Sequence, residues 1–514
     1  MSPEDSPDRP ASEGRSVRKL ATGIPGFDLV AEGGLPAGRT TLVAGTAGSG
    51  KTVFATHFLA AGVTAAEPES AVFVTFEDSP TAIRENMHSF GWDIAAWERE
   101  GRWRFVDASL SPEEPTPVVG TYDFGALVSR VEHAVRETGA RRVSLDALNA
   151  LLARYPRPEV VRAELFRLSS SLKALGATVV FTGERADDYG PATSAGVEEF
   201  VADNVVLLRN ILVDEKRRRT IEILKFRGAP HQRGEVPFTI LGHGIVVIPL
   251  TAQRLSQTSG TKRVTSGVPA LDEMCGGGFF RDSVVLVSGA TGTGKTLLVT
   301  QFLAGGAAEG ERCLLFAFEE SREQLMRNAA AWGMDFERLE RDGRLRIVTQ
   351  YPHAQPLEDH FVHMRDTIEE FGPDRVALDS ISALERMFPA RGYREFVIGL
   401  TSLLKARRTV GLFTSTTPEL LGGSAITERH ISTLTDSIVL LRYVESRGEM
   451  LRGLTVLKMR GSAHDHEIRR YDIDGTGMHV GEPFRDVSGI LSGRPVFESP
   501  AAAAGGAGDG TTAR

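Results

Sequence analysis

The chain has 514 residues, and two or more domains are expected because a single hydrophobic core stops growing at about 250–300 residues. Its apolar fraction of 41% and charged fraction of 25% are typical of a globular protein, and no run approaches the roughly 18 apolar residues of a membrane helix, which excludes an integral membrane protein. The formal net charge of -8 argues against nucleic acid as a partner, since binding to the phosphate backbone needs local positive charge.

The N-terminal stretch of 16 residues is polar, acidic and proline-bearing, without the apolar core of a secretory signal. We therefore expect residues 1–16 to be a disordered arm and the protein to be cytoplasmic. The rest of the chain repeats itself: "GGLPAGRTTLVAGTAGSGKTVFATHFL" returns as "GGFFRDSVVLVSGATGTGKTLLVTQFL". This predicts two homologous domains at residues 17–255 and 256–490, followed by a disordered low-complexity tail at residues 491–514.

Each repeat alternates short β-branched apolar runs with amphipathic stretches of helical spacing. In the first repeat the apolar runs are Thr41–Ala44, Ala71–Phe76, Arg142–Leu145 and Thr178–Thr182. The alternation predicts the α/β fold class, with a central, mostly parallel twisted sheet flanked by helices on both faces. The later runs "NVVLLRN" and "RRTIEILKFRG" predict an additional sheet edge of hairpin type.

Both repeats contain the phosphate-binding pattern G-x-x-x-x-G-K-[ST], as "GTAGSGKT" and "GATGTGKT". Its glycines let backbone amides point inward, Lys51 or Lys295 places a cation on the terminal phosphates, and the hydroxyl of Thr52 or Thr296 binds Mg²⁺. A single match can arise by chance in a glycine-rich chain. Two matches at equivalent positions, each between an apolar run and a helical stretch, predict two ATP sites with Mg²⁺ as cofactor.

Asp146 and Asp379 each end an apolar run. A carboxylate at the end of such a strand can hold the water shell of Mg²⁺, which is the role of the Walker B residue. A solvated turn is the alternative interpretation.

A second pair of acidic residues ends another predicted strand in each repeat, Glu77 with Asp78 and Glu319 with Glu320. A carboxylate next to the nucleotide can orient and deprotonate an attacking oxygen, so all four are candidate catalytic residues. The alternative is a cluster of charges at the start of the following helix, and the two roles are compatible.

Two cations end a late strand in each repeat, Lys225 with Arg227 and Lys458 with Arg460. Alternation along a strand puts both cations on one face, so that they can reach a common target. We interpret them as an arginine-finger arrangement, in which a neighbouring subunit offers both cations to a nucleotide at the interface. Ordinary solvated edge charges are the alternative.

Several stretches of the chain are more specific than a phosphate loop, among them "GVEEFVADNVVLLRN", "RVTSGVPALDEMCGGGFF", "ESREQLMRNAAAWGMDFE" and "HISTLTD". Through them the chain, from about Thr22 to Arg485, resembles the KaiC family of circadian-clock ATPases, which are tandem RecA-like proteins. It implies two tandem RecA-like P-loop NTPase domains in a double-ring homohexamer, with ATP between protomers in both rings. It also implies an ATPase in the first ring and an autokinase and autophosphatase in the second.

The resemblance also implies partners. A KaiB-like regulator is a candidate partner. The alanine- and glycine-rich tail after Arg485 is unlike the family's partner-binding segment, which argues against a KaiA-like partner.

Site residues follow from the same resemblance. The implied metal-associated residues are Thr52, Thr296 and Glu319. The implied ATP-binding residues of the first domain are Gly48, Ser49, Gly50, Lys51, Thr52, Val53, Ser89, Lys225, Phe226, Arg227 and His231. Those of the second domain are Thr291, Gly292, Thr293, Gly294, Lys295, Thr296, Leu297, Trp332, Arg452, Lys458, Met459 and Arg460.

Ser432 and Thr433 match the two phosphorylated positions of the family. Aligning the repeats through "EEFVADNVVLLR" and "ISTLTDSIVLLR" puts Glu199 opposite Ser432 and Phe200 opposite Thr433, so only the second repeat carries the hydroxyl pair. The hypothesis is that ATP bound at one subunit phosphorylates this pair on its neighbour, with Glu319 as base; hydroxyls that cap the start of a strand are the structural alternative. A RecA-type DNA-handling motor and an ATP-assembled signalling scaffold without a clock role are the alternative functions.

Overall fold

A computed structural model describes residues 17–109, 124–152, 158–191, 202–213, 216–249, 260–417, 433–446, 448–485, 487–488, 490 and 496–497. These residues form two compact units, one within Met1–Ala252 and the other within Gln253–Arg514. Over the described ranges, every helix is too short or too polar to cross a membrane.

The first unit alternates strands with helices. Its strands are β1 (Lys19–Leu20), β2 (Leu35–Pro36), β3 (Thr40–Gly45), β4 (Ala71–Thr75), β5 (Trp103–Asp107), β6 (Arg142–Asp146), β7 (Thr178–Glu184), β8 (Asn204–Val213), β9 (Lys216–Phe226), β10 (Val236–Leu241) and β11 (Gly244–Val247). Its helices are α1 (Phe27–Val30), α2 (Lys51–Val63), α3 (Pro80–His88), α4 (Ile94–Arg99), α5 (Phe124–Thr138), α6 (Leu148–Leu152) and α7 (Pro158–Ala174).

The main sheet of this unit has the strand order β11-β10-β9-β8-β3-β7-β6-β4-β5. The pairs from β8 to β5 are all parallel. Strands β8, β9, β10 and β11 pair in antiparallel fashion, and they form the hairpin edge. The predicted mostly parallel sheet is therefore confirmed.

The second unit repeats this plan. Its strands are β12 (Arg263–Val264), β13 (Phe279–Phe280), β14 (Val284–Gly289), β15 (Cys313–Ala317), β16 (Leu345–Thr349), β17 (Arg375–Asp379), β18 (Val410–Thr416), β19 (Ser437–Ser446), β20 (Glu449–Met459), β21 (Arg469–Asp474), β22 (Gly477–Pro483), β23 (Val487–Ser488) and β24 (Val496–Phe497). Its helices are α8 (Pro269–Met274), α9 (Lys295–Ala308), α10 (Arg322–Ala331), α11 (Phe336–Arg341), α12 (Leu357–Phe371), α13 (Ile381–Met387) and α14 (Ala390–Ala406). The main sheet has the order β16-β15-β17-β18-β14-β19-β20-β21-β22, with the same pattern of connections as the first unit.

Helices α2 and α9 are buried on most of their surface. Helix α2 contacts β4, β6 and β7 of the parallel sheet and also β11 of the hairpin edge, and α9 contacts β15, β17, β18 and β22. Their sequences are therefore apolar on almost every side; Phe58 and Phe302, for example, are 0% exposed. Burial of each such phenylalanine side chain stabilises the folded state by about 1.5–3 kcal/mol. This packing fixes the start of each helix at the edge of its sheet.

The disorder predicted for residues 491–514 does not hold for Val496–Phe497. These two residues form β24, which pairs in antiparallel fashion with Val487–Ser488. A β-branched and an aromatic residue favour a strand, and the low-complexity composition begins only after them. The predicted arm at residues 1–16 lies outside the described residues.

Candidate functional site

The two phosphate loops lie at the carboxyl ends of the central strands β3 and β14. Gly50 and Gly294 precede the helices with φ values of 97° and 90°, a region of backbone conformation that favours glycine. A Cβ atom at either glycine would lie 2.7 Å from the Cδ1 atom of Ile240 or Ile473. Neither helix has a side-chain cap at its N-terminus, so its first N–H groups are available to a phosphate.

The lysines of the two loops fold back onto their own loops. Lys295 Nζ donates to two loop carbonyls at 2.9 Å each, and Lys51 Nζ donates to one at 3.0 Å. Burial lowers the pKa of both lysines, and nearby carboxylates oppose this effect. At Lys51 these are, in decreasing order, Glu184, Asp146 and Glu77. Phosphate oxygens can replace the carbonyl partners of both ammonium groups.

The predicted Walker B aspartates contact the predicted metal-binding threonines. Asp379 accepts a hydrogen bond from Thr296 Oγ1 at 2.7 Å and another from Thr414 Oγ1. Asp146 accepts hydrogen bonds from the equivalent pair of hydroxyls, those of Thr182 and Thr52. Burial raises the pKa of both carboxyls, and the hydroxyl donors oppose that rise.

These hydroxyl and carboxylate oxygens suit Mg²⁺, which prefers oxygen ligands. In the described parts of the chain, no group of three or more His, Cys, Asp or Glu side chains is arranged to hold a metal ion by itself. Mg²⁺ commonly binds through one or two protein oxygens, water and substrate phosphates. The residues present therefore fit a metal ion that binds together with the nucleotide.

Glu319 is held by two side chains of the second unit. Ser380 Oγ donates to Glu319 Oε2 at 2.9 Å, and Arg386 forms an ion pair with Oε1. Its neighbour Glu320 accepts a hydrogen bond from Asn328 at 3.2 Å. Burial raises the pKa of Glu320, and the negative charge of the Walker B aspartate adds to this rise.

At the equivalent positions the first unit has no side chains that could form this pair of contacts. Glu77 and Asp78 are exposed, and alanine, at residues 147 and 153, stands at the positions equivalent to Ser380 and Arg386. The carboxylate that follows β4 therefore has different neighbours from the one that follows β15.

The predicted cations of the second unit lie beside the predicted acceptor segment. Thr433 is exposed, and its carbonyl accepts a hydrogen bond from Arg460 at 3.0 Å. Lys458 Nζ donates to the carbonyl of Thr435 at 2.7 Å. Burial and the neighbouring Arg460 charge lower the pKa of Lys458. Ser432, the other predicted acceptor, lies outside the described residues.

This edge of the sheet is opposite the phosphate loop of the same unit. Asp436, next to Lys458 and Arg460, donates its backbone N–H to Val284 at the amino end of β14, whereas the loop begins at Gly289. The two ends of β14 are five residues apart, or about 17 Å at about 3.3 Å per residue. The two cations are thus remote from the phosphate loop of their own unit.

The first unit has the same arrangement. Lys225 Nζ donates to a backbone carbonyl just before β8 at 2.8 Å, and Arg227 lies 3.7 Å from Asp203. The ring of His231 packs edge-on against Phe226, with 5.5 Å between the ring centroids. The structure therefore groups the four predicted residues from Lys225 to His231 at one edge and separates them from Lys51.

Arg452 lies near the phosphate loop of its own unit. Its guanidinium is 5.9 Å from the centroid of the Tyr443 ring, and a Cβ atom at Gly292 would lie 2.7 Å from the hydroxyl oxygen of that tyrosine. Trp332 and Ser89 end the helices that follow the predicted catalytic carboxylates, α10 and α3 respectively.

Four further residues that were predicted to contact ATP have side chains in or packed against the hydrophobic cores, namely Val53, Phe226, Leu297 and Met459. Phe226 and Met459 are only 8% and 6% exposed. A nucleotide would meet chiefly the backbone of these residues.

Strand register and the equivalence of the two repeats identify two residues that the sequence analysis missed. Arg219 pairs with Asn210 across β8 and β9, as Arg452 pairs with Tyr443 across β19 and β20. The Nε atoms of both arginines are buried without a hydrogen-bond partner in the described structure. His464 is the repeat equivalent of His231, and its two ring nitrogens are buried in the same unpartnered state. A residue-by-residue alignment of the two repeats would have found both residues.

Comparisons with known proteins agree on one family. The family model described as "ATPase: KaiC" matches residues 20–252 and again residues 264–484. The "Circadian clock protein KaiC3" of Synechocystis sp. is 60% identical over 94% of this chain and 95% of its own length. The "Circadian clock oscillator protein KaiC" of Thermostichus vulcanus is 53% identical, with 93% and 92% covered, and that of Synechococcus elongatus is 52% identical, with 94% and 93% covered.

Proposed function

Because this chain belongs to the KaiC family of ATPases, we propose that its second unit is also a protein kinase that acts on other copies of the chain. The first unit hydrolyses ATP. The second unit transfers the γ-phosphoryl group of ATP to Thr433 and Ser432 of the neighbouring subunit. Its phosphatase activity later hydrolyses the resulting esters, in which water supplies the new P–O bond and the hydroxyl is regenerated.

The placement of Thr433 carries this proposal. It lies with Lys458 and Arg460 at the sheet edge opposite the phosphate loop, about 17 Å away along β14 by the strand rise. An in-line transfer requires the reacting atoms to approach to about 3–3.5 Å, which excludes the loop of the same unit. A nucleotide bound on a neighbouring subunit and contacted by this cationic edge would also be near Thr433.

Glu319 is the base in this transfer. The Thr433 hydroxyl oxygen forms a bond to the γ-phosphorus, the bond from that phosphorus to the β–γ bridging oxygen breaks, and ADP leaves. The hydroxyl proton passes to the Glu319 carboxylate of the subunit that binds ATP. Its ion pair with Arg386 and its hydrogen bond from Ser380 fix the carboxylate in place. Mg²⁺, bound with ATP, and the Lys295 ammonium neutralise phosphate charge.

The assembly follows from a site completed by a neighbour. Each subunit offers a phosphate loop on one side and cations on another, which is a head-to-tail contact that closes into a ring. We propose a cytoplasmic homohexamer with ATP between subunits. The phosphorylated state, which adds about two negative charges at the interface, acts as a timing or signalling state that a KaiB-like regulator can read.

Mass spectrometry after incubation with ATP and Mg²⁺ tests the proposed kinase. We expect phosphate on Thr433 or Ser432 of the wild-type chain and at least a hundredfold lower occupancy in Glu319→Gln, since a positioned base contributes about 10²–10⁴ in rate. Glu337→Gln, on the exposed surface of α11, is the matched control and should leave the label unchanged. Absence of label from both hydroxyls at every temperature and nucleotide ratio would contradict the proposal.

A further inference from the structure

Glu184 is the last residue of β7, the strand between β3 and β6. In the parallel register it lies beside Gly45, where the phosphate loop of the first unit begins. The adjacent strand β6 ends in Asp146. Glu184 therefore reaches the carboxyl edge of the sheet between the phosphate loop and the Walker B aspartate.

The Glu184 side chain lines a cleft of about 680 Å³ next to the loop. Thr46 and Ala47 of the loop line the same cleft, and so does Asn149 from the start of α6. Glu184 is exposed, and its charge acts more strongly on the Lys51 ammonium than that of any other carboxylate near it.

Hydrogen bonds hold the chain from Glu184 to Asp188 at both of its ends. Its N–H donates to Asn149 Oδ1 at 2.6 Å. Four residues later, Asp188 Oδ1 accepts hydrogen bonds from Thr46 Oγ1 at 2.9 Å and from the backbone N–H of Asn210 at 3.0 Å. The carboxylate is thus presented to the phosphate loop by a fixed piece of chain.

The second unit has an equivalent backbone hydrogen bond but a different side chain at this position. Thr416 lies beside Gly289 in the same register, and its N–H donates to Ser382 Oγ at 3.1 Å. The backbone at this position therefore does not require a glutamate. A negative charge is present only at the site where hydrolysis, rather than transfer to a hydroxyl, is the expected reaction.

We propose that Glu184 positions the attacking water in ATP hydrolysis at the first site. Water has two hydrogens: one is donated to Glu184 in a hydrogen bond, and the other is the proton that Glu77 accepts. The water oxygen then forms a bond to the γ-phosphorus as the bond from phosphorus to the β–γ bridging oxygen breaks, which yields ADP and phosphate. The inference concerns the ATPase activity of the family and does not depend on phosphorylation of Thr433.

The simpler interpretation is that Glu184 is a solvated charge at the end of a strand. It would then contribute to neither binding nor rate, and threonine would serve equally well, as it does at position 416. The two interpretations differ in the turnover number for ATP at the first site.

The test uses the full-length chain with Glu319→Gln, which removes the proposed base of the second unit, and compares Glu184→Gln and Glu184→Thr in that background. We expect kcat for phosphate release to fall about tenfold or more while KM for ATP changes less than about threefold, because the group acts on the water and not on the nucleotide. Glu184→Asp should recover part of the loss. Thermal unfolding and binding of a non-hydrolysable ATP analogue establish that each variant is folded.

Asp187→Asn is the matched control, since it removes a carboxylate charge from the same cleft, and Asp187 accepts hydrogen bonds from the backbone N–H groups of Tyr189 and Gly190. It should keep kcat within about twofold. Three results would overturn the inference: a kcat within twofold of the parent in both Glu184 variants, a rise in KM with kcat unchanged, or an equal loss in Asp187→Asn.

Discussion

Helices α2 and α9 carry different residues at one equivalent position, the buried His57 and the partly buried Gln301. His57 Nδ1 accepts the backbone N–H of Ile245 at 3.3 Å, and Gln301 Oε1 accepts that of Met478 at 3.1 Å. Each contact ties the outer hairpin to the helix that follows the phosphate loop. Burial lowers the pKa of His57 to about 4, a backbone hydrogen bond opposes this effect, and the nearby His243 lowers the pKa further.

The His57 pKa predicts acid sensitivity of the first unit. The folded state holds His57 neutral down to about pH 4, whereas the unfolded chain takes up the proton near pH 6.5. The folded state thus binds fewer protons in this window, and the free energy of unfolding falls as the pH falls from about 6.5 to about 4, by up to about 3 kcal/mol. Above pH 6.5 the contribution is complete.

His57→Gln tests this prediction, because Gln301 makes the same contact in the second unit. Thermal unfolding of wild type and variant should differ little at pH 7.5, and the wild type should lose more stability than the variant between pH 6.5 and 4.5. Parallel loss in both proteins across that range would show that His57 does not titrate as proposed.

Residues whose chemistry is local in sequence could be predicted. Spacing and strand ends place the phosphate-loop residues and Asp379, and the structure has them at the ends of β14 and β17, whereas their roles stay predictions. Glu184 could not be found in this way, since "TGERADDYG" reads as the end of a strand and a turn. Its proposed role depends on β7 ending beside β3, which is a long-range pairing.

At the scale of elements, a buried arginine joins the phosphate-loop helix of the second unit to its sheet. Arg375, at the start of β17, is 0% exposed. It donates to the carbonyls of Thr265 at 2.6 Å and Phe302 at 2.9 Å and pairs with Glu311 at 2.5 Å. Arg142 makes the equivalent bonds in the first unit.

Arg375→Met should destabilise the second unit by about 3–5 kcal/mol, because it removes the side-chain donor to two backbone carbonyls and one of the two arginine partners of Glu311. Calorimetry would show a lower unfolding temperature for one transition. The control is Arg391→Ala, whose ion pair with Glu395 is exposed and should contribute less than about 1 kcal/mol. Equal effects of the two substitutions would contradict this role for Arg375.

The elements themselves were predictable, because apolar runs alternate with helical spacing in both repeats. The position of Lys458 and Arg460 relative to Lys295 was not. It depends on the antiparallel register of β19 and β20, which brings Lys458 opposite Ile438 at the amino edge of the sheet. The sequence could suggest a neighbouring subunit as their target, but only the register supplies the physical reason.

At the scale of the whole molecule, the proposed phosphoryl transfer takes place at sites that two copies of the chain complete together. A phosphate loop at one sheet edge and an acceptor with two cations at the opposite edge cannot meet within one unit. The proposed transfer therefore requires assembly, and dilution to separate subunits should abolish phosphorylation.

Mixing two variants measures phosphoryl transfer between subunits most directly. One carries Ser432→Ala and Thr433→Ala and keeps Glu319; the other carries Glu319→Gln, keeps both hydroxyls and is labelled with ¹⁵N. Each alone should remain unphosphorylated. In mixed assemblies, whose formation is verified by co-purification through a tag on one variant, the account predicts phosphate on the ¹⁵N-labelled Thr433 or Ser432. Mixed assemblies that hydrolyse ATP but leave the labelled chain without phosphate would contradict it.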